Sequence, residues 1–273
     1  MEIHFGKESV LMKLFDSHCH LNDKSYAKDI DQVLGRMADA GVGAAMLVGV
    51  NREDSEKAVR LAASSPVLYA SVGVHPHDAA TCSEETLAAL SALAAHPKVR
   101  AWGEIGLDFN RMFSPRDVQE RWFLRQLETA DDLDLPLIFH ERDSGGRFLE
   151  ILKATHGERR RGVVHCFSGN RRELSAYLDM GYHIGITGIL TIQQRGAELR
   201  ALVPAIPMDR LLIETDAPYL TPAPQKNRTR RNEPAFVVST LLKLAEIRGE
   251  DPEVLAAATW NNACRLFGIP LES

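Results

Sequence analysis

The sequence of 273 residues contains no run of about 18 uninterrupted apolar residues, so no segment is predicted to span a membrane. The opening residues, 1–12, also lack the apolar core and the small-residue cleavage site of a signal peptide. Only four cysteines occur, none of them in a CxxC pair: Cys19, Cys82, Cys166 and Cys264. Scattered cysteines are typical of free thiols in a reducing compartment. We therefore expect a cytoplasmic protein, with no membrane association and no obligate protein partner.

An excess of positive charge is also absent, since the formal net charge is −5. Proteins that bind duplex DNA without sequence preference usually carry a basic footprint. The overall charge therefore gives no support for a nucleic-acid substrate, and any such inference must rest on local features. The length allows either two small domains or one large α/β barrel, which typically needs about 250 residues.

Short apolar runs alternate along the chain with longer amphipathic segments. The eight strand candidates are residues 14–21, 44–50, 68–75, 99–109, 137–140, 162–167, 182–187 and 211–215. The helix candidates are residues 28–40, 52–64, 83–95, 116–134, 145–156, 171–180, 195–203, 234–248 and 251–266. Alternating strands and helices predict a parallel sheet covered by helices, and eight rounds favour a closed (β/α)₈ TIM barrel over an open sheet.

Domain boundaries follow from this pattern. Residues 13–273 are expected to form one barrel domain, with the last two helices as extra C-terminal packing elements. Residues 1–12 carry no recognisable element and are predicted to be a short N-terminal extension, for which disorder is one interpretation. Translation beginning at Met12 is the other.

Histidines and carboxylates cluster where the predicted strands end. His18 and His20 alternate with Cys19, so both imidazoles point to one face of the first strand and can chelate one ion. Four further candidate ligands are expected at the C-terminal ends of strands four, five, six and eight: Glu104, His140, His165 and Asp216. The C-terminal ends of barrel strands converge on one mouth, where active sites of this fold lie. Buried charge there is costly unless it is paired or binds a metal.

Imidazole and carboxylate ligands suit divalent Zn, Mn, Fe or Ni, with Mg possible at a carboxylate-rich position. Six ligands are too many for one tetrahedral ion that keeps an open position. We therefore predict two divalent ions bridged by Glu104, with His18, His20 and Asp216 on one ion and with His140 and His165 on the other. Such a pair activates water and stabilises the attacking and leaving oxygens.

Several motifs together resemble the TatD family of metal-dependent deoxyribonucleases, within the wider metal-dependent hydrolase superfamily. The matching segments are FDSHCHL (15–21), GVHPHD (73–78), GEIGLDF (103–109), FHERDS (139–144), VVHCFSG (163–169), IGITG (184–188), IETDAPYL (213–220), RRNEP (230–234) and NACRLFGI (262–269). The resemblance extends from about Lys13 to Ile269. It implies a (β/α)₈ barrel that hydrolyses phosphodiester bonds of DNA, commonly as an exonuclease, with its metal ligands on the six residues above.

Substrate contacts are expected on the loops that follow the strands. Arginine matches two phosphate oxygens at once, which makes Arg111, Arg142 and Arg231 candidate DNA-binding residues. His75 is a candidate catalytic residue that binds phosphate or protonates the leaving 3′-oxygen, and His77 is a weaker candidate for substrate binding. Stacking on a terminal base is considered for four aromatic residues: Phe109, Phe113, Phe167 and Tyr219. Two deeper carboxylates are expected to support the metal ligands: Asp16 and Glu214.

The function that these features favour is cleavage of DNA, on single strands and from an end, by attack of a metal-bound hydroxide. Glu104 and Asp216 are expected to act in catalysis as well as to bind metal. Three alternatives stay open: RNA as substrate, hydrolysis of a small amide, lactone or ester, and deacylation of aminoacyl-tRNA. Many relatives in the superfamily bridge their metals with a strand-four lysine, and Glu104 in that place weakens the amidohydrolase interpretation. A metal-holding adaptor without activity is a further class, which the intact ligand set disfavours.

Overall fold

Eight parallel strands form the centre of the computed structural model, which describes residues 12–155, 157 and 159–271. They are β1 (Leu14–Cys19), β2 (Val42–Val48), β3 (Leu68–Val72), β4 (Val99–Asp108), β5 (Leu137–Arg142), β6 (Gly162–Val164), β7 (His183–Ile186) and β8 (Leu211–Ile213). Each strand pairs in parallel with the next one in the sequence. The predicted barrel is confirmed. Apart from Met12, the predicted N-terminal extension lies outside the described residues.

Helices connect and cover the strands. They are α1 (Ile30–Asp39), α2 (Arg52–Ala63), α3 (Glu84–Ala94), α4 (Arg116–Leu133), α5 (Arg147–Ala154), α6 (Arg171–Asp179), α7 (Ala197–Leu202), α8 (Ala223–Lys226), α9 (Val237–Arg248) and α10 (Pro252–Phe267). Side chains satisfy free amides where several helices begin. Ser83 accepts a hydrogen bond from the Thr86 amide, and Asn170 forms a reciprocal capping box with Glu173. None of the described helices combines the length and apolarity needed to cross a bilayer.

The interior of the barrel is apolar at the end opposite the strand C-termini. Phe15, Met46 and Ile138 belong to one buried cluster with Phe267 and Leu266 of α10. Asn262, also on α10, donates hydrogen bonds to the carbonyls of Met208 and Leu211 at the start of β8. The last helix therefore closes the bottom of the barrel, which leaves the opposite mouth as the place for polar side chains.

Most strands end earlier than the apolar runs predicted. β6 stops at Val164 rather than 167, and β8 stops at Ile213 rather than 215. Phe167 is 3% exposed and Thr215 is 1% exposed, so the chain stays buried after the ladder ends. An apolar run in the sequence indicates burial. Where the strand ends depends instead on which backbone amides form hydrogen bonds with a neighbouring strand.

The junction between β8 and β1 is closed mainly by side chains and by the chain segments after the strands. Its only ladder contact among the described residues is an isolated bridge between Cys19 and Ala217. Asp16 accepts hydrogen bonds from the Thr215 amide at 2.8 Å and from the Thr215 hydroxyl at 2.6 Å. The Ser17 hydroxyl donates to the Ile213 carbonyl at 3.1 Å. We refer to these contacts as the β8–β1 seam.

His183 makes the stability of the barrel depend on pH. This first residue of β7 is 7% exposed, and burial, followed by Arg210, lowers its pKa to about 4. Between pH 6.5 and 4 the unfolded chain takes up a proton that the folded chain does not, so stability falls as the pH falls. From pH 7.5 to 5 we expect wild type to lose about 2 kcal/mol more unfolding free energy than His183→Phe in urea titrations. His96→Gln is the control, and equal pH profiles for wild type and His183→Phe would contradict the expectation.

Candidate metal centre

The first group of candidate ligands lies beside the β8–β1 seam. His18 Nε2 and His20 Nε2 are 3.2 Å apart, and they lie 3.8 Å and 3.4 Å from Asp216 Oδ1. The Asp216 amide donates to the His18 carbonyl at 2.9 Å, which fixes the carboxylate beside the two rings. His18 lies in the C-terminal part of β1, whereas His20 and Asp216 lie on the segments just beyond β1 and β8.

Glu104 enters the cluster through an irregularity of β4. The pairing of β4 with β5 shifts between Gly103 and Ile105, and Glu104 is the residue left over. Glu104 thus lies within β4, and the expectation that it ends this strand is wrong; His140 likewise precedes the end of β5 by two residues. Such bulges re-aim side chains and are common next to active sites.

Two glycines permit this arrangement. Gly103 and Gly106 have φ values of 154° and 148°. A Cβ atom on Gly106 would lie 1.9 Å from the His140 carbonyl oxygen, and one on Gly103 would lie 2.6 Å from the Ile138 carbonyl oxygen. Only residues without a side chain let β5 approach the bulge so closely.

The two oxygens of Glu104 face different histidines. Oε1 lies 2.6 Å from His140 Nδ1 and 3.2 Å from His165 Nε2. Oε2 lies 3.4 Å from His18 Nε2, on the side of His20 and Asp216. The structure therefore brings all six predicted ligands together, with Glu104 between the two groups that were predicted to hold separate ions.

Deeper acceptors orient the rings. His165 Nδ1 lies 3.0 Å from Glu214 Oε1, which also accepts the Cys166 amide at 2.6 Å. His20 Nδ1 lies 3.2 Å from the Val48 carbonyl. Each contact directs the Nε2 atom of its ring into the cluster, as partners of metal-binding histidines commonly do. Glu214 has the supporting position that the sequence predicts for it.

Burial and mutual charge set the protonation of this cluster. Burial acts to raise the pKa of Glu104, but His165, His75 and His18 hold it well below its usual range. Burial acts to lower the pKa of His165, but Glu104 and Glu214 raise it well above the ordinary value. The carboxylate therefore stays ionised although it is only 3% exposed.

The donor set fits divalent metal binding. Groups of imidazole and carboxylate atoms lie within 4.8 Å of one another, including His18 with His20 and Asp216, and Glu104 with His75 and His140. Two imidazole Nε2 atoms, those of His18 and His20, point toward each other and toward one carboxylate. These residues would hold a divalent cation, whose charge would offset that of the buried carboxylate.

His75 lies against this cluster but differs from the other histidines. Its Nδ1 accepts a hydrogen bond from the His77 amide at 3.0 Å, so the proton of the neutral ring is on Nε2. Nε2 lies 3.5 Å from Glu104 Oε1. Burial, followed by the charge of His140, lowers the pKa of His75 to about 4. His75 therefore presents a neutral N–H group to the site, which is the geometry of a hydrogen-bond donor rather than of a metal ligand.

Asp108 is a buried carboxylate of the site that was not predicted from the sequence. Its Oδ2 lies 2.7 Å from His77 Nε2 and 3.4 Å from His140 Nε2. Its Oδ1 accepts the amides of Asn110 and Arg111 at 2.9 Å and 2.8 Å. The available signal was its position at the end of β4, four residues beyond Glu104 and therefore on the same side of an alternating strand.

A cavity of about 960 Å³ opens above the cluster, near the upper limit for small-molecule sites. Its walls include three residues that were candidates for substrate contact, Arg111, Arg142 and His77, and also Arg195, which was not predicted from the sequence. Phe113 and Tyr219 line the same cavity with 67% and 55% of their surface exposed.

The other two aromatic candidates do not reach this cavity. Phe109 packs under the guanidinium group of Arg116, whose Cζ is 4.6 Å from the ring centre. Phe167 is buried against Tyr177. The expectation that Phe109 and Phe167 stack on a base is corrected, because Arg116 covers one face of Phe109 and Phe167 is buried.

The same correction applies to Arg231, which is not among the residues that line the cavity. Its guanidinium nitrogens contact both oxygens of Asp29, at 2.8 Å and 2.5 Å, and donate to the Ser25 carbonyl at 2.7 Å. The next two residues continue this connection. Asn232 donates to the Thr215 and Tyr219 carbonyls, and Glu233 pairs with Arg36. The RRNEP segment therefore ties the chain after β8 to α1.

Replacing Arg231 should affect stability rather than substrate binding. Arg231→Ala removes a bidentate, partly exposed ion pair, and we expect the unfolding free energy to fall by about 1–2 kcal/mol in urea titrations. KM for an oligonucleotide should stay within about two-fold of wild type, since the guanidinium is already occupied. Arg228→Ala, on the exposed part of the same loop, is the control. A large KM increase without loss of stability would restore Arg231 as a substrate ligand.

The chain is similar to known proteins over nearly its whole length. Residues 15–268 match the family described as TatD related DNase. A 3′-5′ ssDNA/RNA exonuclease TatD from Citrobacter rodentium is 46% identical over 262 residues, covering 95% of this chain and all of the relative. The protein of the same name from Escherichia coli K12 is 44% identical, covering 94% of this chain and 99% of that protein.

Solved structures give the same result. A TatD homologue from Escherichia coli K12 superposes with a TM-score of 0.87 and 31% identity, covering 96% of this chain and 100% of the other. A TatD family hydrolase from Entamoeba histolytica has a TM-score of 0.86 and 26% identity over the same shares of the chains. The chain therefore belongs to the TatD-related DNase family.

Proposed function

We propose that this chain is a divalent-metal-dependent exonuclease that removes nucleotides from the 3′ end of single-stranded DNA or RNA. The observation that carries the proposal is the position of the metal-ligand cluster, at the floor of a cavity whose walls include three arginines. Relatives of 44–46% identity are named 3′-5′ ssDNA/RNA exonucleases. These names do not favour the alternatives of a small-molecule amide, lactone or ester hydrolase or of an aminoacyl-tRNA deacylase.

Two divalent ions would be held by the six ligands, with Glu104 contributing one oxygen to each. Zn, Mn, Mg and Ni are the candidate metals. When bound, such ions lower the pKa of a water molecule and neutralise charge on a phosphate group.

The protein's own groups would position the substrate. Arg111 and Arg142 would each match two oxygens of a phosphate. His75 would donate its Nε2–H to the phosphate or to the leaving 3′-oxygen, without carrying charge at neutral pH. Asp216, beside His20, would accept a hydrogen bond from the attacking water. Phe113 and Tyr219 would stack on bases that single strands expose.

The test is a digestion series with metal-stripped protein reloaded with Mg, Mn, Zn or Ni. Single-stranded DNA, duplex DNA and RNA, each labelled at the 5′ end, should reveal shortening from the 3′ end that chelation stops. Glu104→Gln, purified in parallel, controls for contaminating nucleases. Absence of nucleotide release with every metal, or hydrolysis of small esters alone, would overturn the proposal.

A further inference from the structure

The charged side chains of the cavity wall are unevenly distributed. Three arginines line one side of the cavity: Arg142 at the end of β5, and Arg111 and Arg195 on the segments after β4 and β7. No side-chain hydrogen bond or ion pair occupies these three guanidinium groups among the described residues. Other arginines of the protein are paired, for example Arg147 with Glu120 and Arg231 with Asp29. Unpaired arginines facing one cavity are available to a ligand.

The opposite wall, formed by the chain after β1, β2 and β3, has a different balance. Three aspartates line it: Asp23, Asp54 and Asp78. Two lysines lie among them, and one of these, Lys57, is already 2.8 Å from Glu53 and 3.6 Å from Asp54. The strands follow one another around the barrel, so one half of the rim carries three free positive charges and the other half carries an excess of carboxylates.

Each nucleotide of the retained strand adds one phosphate charge. The terminal nucleotide has a free 3′-hydroxyl, so its only phosphate is the one that is cleaved. The field within a cleft steers such charges toward the positive wall. Phe113, 67% exposed, lies on the same side as Arg111 and offers a face for a base.

We propose that Arg195, with Arg111 and Arg142, forms a phosphate-binding arc for the part of the strand that is retained. The continuing strand then leaves the cavity over the C-terminal ends of β4, β5 and β7, and the nucleotide being removed lies against the wall that carries Asp23, Asp54 and Asp78. Arg195 lies between β7 and α7, on a different segment of the chain from Arg111 and Arg142. This inference rests on the proposed exonuclease function and adds the orientation of the substrate.

The test compares Arg195→Ala with wild type on substrates of increasing length. For an oligonucleotide of about ten residues, KM should rise about 5–10-fold with kcat unchanged, because a phosphate contact is lost away from the reacting group. The slope of log KM against log salt should fall by about 0.7, the value for one contact on a single strand. A dinucleotide without terminal phosphates carries only the phosphate that is cleaved. Its turnover should therefore not change in Arg195→Ala. Arg195→Lys should recover part of the loss.

Arg171→Ala is the matched control, because Arg171 is an exposed arginine after β6 that does not line the cavity. A 5′-phosphate on a trinucleotide should tighten binding to wild type, while a 3′-phosphate should weaken it. If Arg195→Ala leaves KM and the salt slope unchanged while wild type digests the oligonucleotide, the arc is wrong and the exonuclease proposal stands. An equal loss of kcat on the dinucleotide would also overturn the arc. Absence of digestion by wild type would remove the proposed function itself.

Discussion

Glu104→Gln should reduce turnover by about 10³-fold or more while leaving the barrel folded. Glu104 faces both groups of ligands through different oxygens, with 2.6 Å from Oε1 to His140 and 3.4 Å from Oε2 to His18. Glutamine keeps the size of the side chain but loses the negative charge. Loss of a single preorganised electrostatic group in an active site commonly costs 10²–10³-fold, and this one would serve two ions.

The measurement combines single-strand digestion with metal content by elemental analysis and with circular dichroism. We expect both activity and bound metal to fall, and Glu104→Ala to be at least as defective. Glu141→Gln is a suitable control, since Glu141 lies on the neighbouring strand but accepts its hydrogen bonds from Ser144. Full metal content together with full activity in Glu104→Gln would exclude the bridge.

Asp108→Ala should lower kcat/KM by about 10–100-fold, the usual cost of removing a group that orients a metal ligand. Asp108 is fully buried and accepts from two histidines and two backbone amides. Its loss frees His140 to rotate and leaves buried donors without a partner. We therefore expect weaker metal binding and an unfolding free energy lower by about 2–4 kcal/mol.

Metal titration of the stripped protein separates these two effects. Asp108→Asn should retain more stability than Asp108→Ala, because the amide oxygen still accepts hydrogen bonds. Asp143→Ala is the control, since Asp143 is exposed and contacts only the nearby Asn110 side chain among the described residues. Wild-type metal affinity and wild-type kcat in Asp108→Ala would show that Asp108 serves stability alone.

The barrel was predictable from the sequence because its signal is repeated eight times. Each round of apolar run and amphipathic segment is ambiguous alone, but the repetition leaves few architectures. The six ligand candidates were predictable for a related reason. In a parallel barrel, polar residues near the strand ends meet at one mouth whatever the detailed pairing, as His18 and Asp216 do.

The wrong or missing predictions concern features that depend on contacts between distant segments of the chain. The place of Glu104 within β4 depends on a pairing shift against β5, which alternation of residues does not reveal. Arg231 appeared to be a free loop cation because its partner, Asp29, lies at the other end of the chain. Arg195 stands alone in its loop, and only the shape of the cavity distinguishes it from any solvated arginine. Long-range partners thus decide which charges remain free.

The β8–β1 seam has a consequence for how the molecule folds. The Asp16–Thr215 contact joins positions 199 residues apart, so the seam forms only after both ends of the chain have come together. Contacts between such distant residues require the closure of a long loop, which costs chain entropy and slows folding. His18 and His20 lie on one side of this junction and Asp216 lies on the other. An ion held by these three residues would therefore link the N-terminal and C-terminal parts of the barrel. Its binding free energy would then also be free energy of barrel closure.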